Sequence, residues 1–113
     1  MTFEEVASMV AGIGLEYCYY QFETGPDDDP PALPYVCYYY TGNDDLAADN
    51  TNYQPIVELI VELYSDVKDF EHETIVETAL NAAGLVYDKR TSYIESERMY
   101  LTTYTMEVLI TNG

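Results

Sequence analysis

The spacing of apolar residues changes repeatedly along this chain, and each change marks an element. Over residues 2–12, Phe3, Val6, Ala7 and Val10 recur at helical intervals and make one apolar stripe. Thr2, with Glu5 three residues on, forms a capping box in which each side chain satisfies an otherwise unpaired backbone N–H. Gly12 and Gly14 end that helix. Tyr17 to Phe22 (YCYYQF) and Tyr35 to Thr41 (YVCYYYT) read as strands by their aromatic content. Between them, ETGPDDDPPALP holds four prolines and three consecutive aspartates, which excludes regular structure and predicts an exposed loop. The two strands are expected to pair as a hairpin over 17–41, with a long arm between them. A second acidic loop, GNDDLAADNTN, covers residues 42–52.

Ile56 to Tyr64 (IVELIVELY) alternates with period two. Val57, Leu59, Val61 and Leu63 share one face; Ile56, Glu58, Ile60, Glu62 and Tyr64 share the other. Its β-branched density and the preceding Pro55 favour a strand over a helix. Asp69 to Ala83 is the second helix, capped by Asp69, with Glu71 and Glu73 at the positive end of its dipole. Val76, Ala79, Leu80 and Ala83 are its expected buried stripe, and Gly84 is its stop. Two further strands, roughly Leu85–Ile94 and Arg98–Ile110, are joined by a tight turn at Glu95-Ser96-Glu97. The fold class is therefore α+β: a mainly antiparallel sheet with two helices on one face and a long β-hairpin arm. At 113 residues the chain is read as a single domain over 1–113.

Charge narrows the function. The net charge is −17, and it is unevenly placed: residues 1–67 hold 13 acids and no base, whereas residues 68–113 hold 8 acids and all four bases, Lys68, Lys89, Arg90 and Arg98. Binding to nucleic acid through phosphates needs Lys and Arg, so direct nucleic-acid binding is disfavoured, and an anionic membrane surface is disfavoured likewise. The N-terminal segment has no basic residue of the kind a signal or transit peptide carries, and no apolar run approaches the ~20 residues of a membrane span. Both observations lead to the expectation of a soluble protein made in the cytoplasm.

Catalytic chemistry has little to draw on. The only histidine, His72, falls in the first turn of the second helix between Glu71 and Glu73, where a solvated surface residue is expected. No nucleophile elbow, phosphate loop, zinc-protease or dinucleotide motif is present. The expectation is a protein that is not an enzyme, with no catalytic, cofactor-binding or metal-ligating residues and no cofactor. Asp27, Asp28, Asp29, Asp44, Asp45 and Asp49 offer oxygen ligands of the type calcium uses, but the spacing of a helix–loop–helix calcium site is absent and solvated acidic loops are the simpler reading. Cys18 and Cys37 lie in aromatic strand-like runs, not in a CxxC pair, and are read as reduced structural thiols.

Thirteen tyrosines occur with three phenylalanines and no tryptophan. They fall on both faces of their strands, whereas a sheet covered on one face should be polar on the other. Tyrosine has a large apolar body and a polar tip, which suits a surface that is wet before assembly and buried after it. Tyr19, Tyr20, Tyr38, Tyr39, Tyr40, Ile56 and Ile60 are accordingly the candidate subunit interface.

Four segments, Leu33-Pro34-Tyr35-Val36, Ala47-Ala48-Asp49-Asn50, Val57-Glu58-Leu59 with Glu62-Leu63-Tyr64, and Tyr93-Ile94-Glu95-Ser96-Glu97-Arg98-Met99-Tyr100, occur in this order. Together they resemble the tail-completion (tail terminator) proteins of long-tailed phages and prophages of Gram-positive bacteria, over roughly residues 33–110. The resemblance implies an α+β fold and a homo-oligomeric ring, usually a hexamer, that caps the tail tube and joins it to the head. It implies partners in the tail-tube protein and a head-completion protein, and a location in the host cytoplasm during assembly and at the head-proximal end of the tail in the virion. Two other functions fit the composition: an acidic DNA mimic that blocks a nucleic-acid-binding enzyme, and a head-side stopper or adaptor.

Overall fold

A computed structural model of the chain describes residues 1–22, 30–41 and 56–111. The elements run α1 (Phe3–Ala11), β1 (Glu16–Tyr19), β2 (Tyr35–Thr41), β3 (Ile56–Ser65), α2 (Phe70–Ala82), β4 (Tyr87–Ile94) and β5 (Met99–Leu109). The strands form one five-stranded sheet in the order β1-β2-β3-β5-β4. Three of its four pairings are antiparallel, so the α+β architecture with a mainly antiparallel sheet stands.

The hairpin does not. β1 lies parallel to β2, with Glu16 opposite Tyr35 and Tyr19 opposite Tyr38. The reason lies in the connection: residues 20–34 are long enough for the crossover of a dozen or more residues that a parallel pair requires. Tyr20 starts that crossover with φ +74°, in the left-handed region, while its N–H bonds to the Tyr38 carbonyl at 2.7 Å. Phe22 then packs edge-on against Tyr35, ring centroids 5.1 Å apart. Tyr20 and Phe22 thus lie on the sheet face opposite the helices, and no hairpin arm projects among the described residues.

Local chemistry sets both helices. Thr2 Oγ1 accepts from the Glu5 N–H at 3.0 Å and Glu5 Oε1 accepts from the Thr2 N–H at 2.7 Å, completing the capping box. Asp69 caps α2 by accepting from the His72 N–H at 2.9 Å. Gly84, at φ +76°, ends α2 in the left-handed conformation that glycine adopts without steric cost, and the Leu85 N–H closes back on the Leu80 carbonyl. Both helices pack on one face of the sheet. Val6, Val10 and Ile13 from the α1 region and Val76 and Leu80 from α2 meet Val57, Leu59, Val61 and Leu63 of β3 and Tyr104, Met106 and Val108 of β5. The alternation read along Ile56–Tyr64 is the one observed, and its helix-facing row is almost wholly buried.

In α2 the stripe differs from expectation at its ends. Ala83 is exposed, and the buried residue one turn before Val76 is Glu73. Among the described residues no helix is long and apolar enough to cross a membrane. Since Leu80 is fully buried between α2 and the sheet, Leu80→Ala is expected to destabilise the chain by about 2–5 kcal/mol, measured by denaturant unfolding.

Candidate assembly surface

The strand register sorts the tyrosines, and only some face outward. Tyr38 shares the helix-facing row with Val61 and Tyr104 and is buried. Tyr40, two residues on, is half-buried, its ring edge-on to Phe3 of α1 at 5.0 Å. Its hydroxyl has no hydrogen-bond partner among the described residues. Both residues are committed to packing inside the chain, because α1 reaches across to β2. Ile60, on the opposite face, is also buried. Tyr38 and Ile60 are therefore covered within the chain rather than exposed as the sequence pattern suggests, and Tyr40 is partly so.

Tyr19, Tyr20 and Ile56 are exposed, by 51%, 61% and 64%, and Tyr39 is half-buried. Tyr19 leans edge-on against Tyr38 at 5.2 Å, and Tyr20 lies tilted against Tyr39 at 5.5 Å. Holding a bulky residue at the positive φ of Tyr20 costs on the order of 1 kcal/mol relative to glycine. Tyr17, 43% exposed, adds a third outward ring on the β1 edge. Asp27, Asp28, Asp29, Asp44, Asp45 and Asp49, the acidic-loop candidates, lie outside the described residues.

The face opposite the helices carries a polar centre that sequence spacing alone does not predict. Glu62 accepts a hydrogen bond from the Tyr64 hydroxyl at 2.9 Å and from the Tyr39 hydroxyl at 3.3 Å. Burial, and then the Glu62 charge, push both phenols' pKa values up, so both remain donors at neutral pH. Cys37 sits directly opposite Glu62 on β3 and directly opposite Cys18 on β1, placing all three in one row across the sheet. Thr103 and Arg90 continue that row to the β4 edge. Ile56 and Leu109, paired across β3 and β5, are exposed apolar neighbours beyond Glu58 and Glu107, which oppose one another as like charges.

The two outer edges of the sheet differ in character. β1 presents Glu16 and the three outward tyrosines. β4 is eight residues long, exposed over Asp88–Tyr93, and carries Arg90; Arg98 follows in the turn to β5 at φ +52°. Neither arginine makes an ion pair among the described residues.

The lysines are used differently. Glu73, 2% exposed, is clamped between Lys68 and Lys89, the latter 2.7 Å from Glu73 Oε1. Lys89 also reaches Glu77 at 2.7 Å, and Glu77 accepts from the Tyr104 hydroxyl at 2.8 Å. This cluster fastens β4, through Lys89, to α2. The signal for it was present in the alternation of β4, which puts Lys89 on the helix-facing row opposite Tyr104. His72, for its part, is tied to Asp69 at 2.6 Å in the first turn of α2. Among the described residues no three His, Cys, Asp or Glu side chains are grouped as metal ligands would be.

Burial alone would raise the Glu73 pKa, but hydrogen bonds and charge from Lys68 and Lys89 outweigh it and hold the carboxyl below its ordinary 4.5. A carboxylate whose pKa is depressed by folding stabilises the fold fully above its unfolded value, and that contribution is lost as pH falls through the folded one. Glu73→Gln is expected to lower stability by about 1–3 kcal/mol at pH 7. In melts run at descending pH, the gap between wild type and Glu73→Gln should narrow below pH 4.5. The difference between the two proteins removes the opposing trend, since protonating the other carboxylates relieves self-repulsion in both.

Comparisons with protein-family models, with curated proteins and with solved structures found no match to this chain.

Proposed function

We propose that this chain is a tail-completion subunit, which assembles with copies of itself into a ring capping the tail tube of a long-tailed phage at the end that joins the head. The observation that carries the reading is the inequality of the two sheet edges. A ring requires head-to-tail contacts in which one patch meets a different patch on the next subunit. Here one edge offers Glu16 and outward tyrosines, and the other offers Arg90 and Arg98 without ionic partners among the described residues. Arginine stacks on tyrosine faces and pairs with carboxylates, and the two residue types are enriched where interfaces draw their energy. The β4 edge also carries a row of backbone N–H and C=O groups available to a further strand. The family resemblance over residues 33–110 supplies the tail and the number of subunits.

At high protein concentration, or with tail-tube protein present, wild type is expected to elute at several times 12.9 kDa. Arg90→Glu and Tyr20→Ser should each shift it toward the monomer while leaving the melting temperature of the monomer within a few degrees. A wild-type chain that stays monomeric under both conditions overturns the ring.

A further inference from the structure

We propose that Cys18 and Cys37 form a dithiol site that closes to an intramolecular disulfide, stapling the edge strand β1 to β2. The two sulfurs are 3.4 Å apart, and the residues face one another in register on adjacent parallel strands. Neighbouring strands run about 4.7–4.9 Å apart, inside the Cα separation of about 4.4–6.8 Å that a disulfide accepts. Closing the contact to a bond of about 2.05 Å therefore requires the two sulfurs to approach by little more than 1 Å.

The two thiols are unequal in access. Cys18, on the four-residue edge strand, is partly exposed, whereas Cys37 is 3% exposed under the segment that turns back from Tyr20 to Phe22. The Cys18 thiolate attacks one sulfur of a small-molecule disulfide such as oxidised glutathione, forming a mixed disulfide and releasing one thiolate. Cys37, deprotonated in turn, attacks the Cys18 sulfur, forms the Cys18–Cys37 bond and releases the second thiolate. The protein loses two protons and two electrons, and the small disulfide is reduced to two thiols. Burial raises both thiols above their ordinary pKa, so the exchange is slow at neutral pH and faster as pH rises.

The bond would act where the sheet is weakest. β1 is held by the shortest ladder among the described residues and carries Tyr17 and Tyr19, with Tyr20 just beyond its end. Joining residues 19 apart in sequence closes the whole crossover between β1 and β2 and reduces the freedom of the unfolded chain.

The test is to incubate the folded wild-type chain with oxidised glutathione at pH 7 and pH 9, then count free thiols after denaturation and weigh the intact protein. The expected product is a monomer lighter by two hydrogens, with no free thiol and no glutathione, formed faster at the higher pH. Its melting temperature should rise by roughly 10 °C and return on reduction. Cys37→Ser should trap one glutathione on Cys18, and Cys18→Ser should leave Cys37 unmodified while folded. A wild-type product carrying glutathione on both cysteines, a disulfide-linked dimer, or two thiols still free at pH 9 would each overturn the proposal. The wild-type masses decide it even if a serine variant fails to fold.

Discussion

Burial of one row of β3 is the constraint on which the other elements depend. Val57, Leu59, Val61 and Leu63 are at most 2% exposed, and they can be buried only if α1 and α2 both lie across the same face. That requirement fixes the register of β3 against β2 on one side and β5 on the other, because a slip of one residue would turn every apolar side chain to the wrong face. The helices are short and draw their stability from this packing and from caps at Thr2 and Asp69, since helices of 9 and 13 residues are marginal alone. Placing both helices on one side leaves the reverse face of the sheet uncovered. The chain meets that exposure with tyrosines and threonines, whose side chains tolerate both contact and water, and with Tyr20 and Phe22, which pack against Tyr39 and Tyr35.

What the sequence made legible follows from how local each cause is. The caps, the period-two run of β3, the stop at Gly84 and the Glu95–Glu97 turn each rest on a few neighbouring residues, and all appear as read. The direction of β1 relative to β2 was not local. It depends on how a connection of fifteen residues brings β2 beside β1, and composition alone does not separate a parallel from an antiparallel return. The pairing of Cys18 with Cys37 is equally non-local: it depends on the register that β1 takes against β2, which neither segment fixes by itself. The tyrosines failed more narrowly. Alternation placed Tyr38 and Tyr40 on one face of β2, but not that α1 would bring Phe3 over that face. Glu73 was read as a dipole-stabilising acid, which it is by position; its burial follows from the approach of Lys89 on a strand sixteen residues later in the chain.

Charge decides which kind of self-association is physically open to such a chain. With a net charge of −17, most of the surface of one copy repels most of the surface of another. Two of the four bases pair with Glu73 and Glu77, so the basic side chains without an ion pair among the described residues are Arg90 on β4 and Arg98 in the turn to β5. A two-fold contact sets residue i against residue j and j against i, so a patch that carries one sign of charge meets its own like charges. Pairing β4 with β4 would gather the arginines together, and pairing any base-free surface with its own copy would gather carboxylates. Both are disfavoured by like-charge repulsion across a desolvated contact. A head-to-tail contact meets neither obstacle, because it sets the arginine corner against a region drawn from residues 1–67, where no base occurs. Repetition of that contact closes a ring when the rotation per subunit divides a full turn. The charge arrangement therefore disfavours a two-fold contact through either patch alone, and the ring proposed for a tail-completion subunit sets the two patches against each other instead.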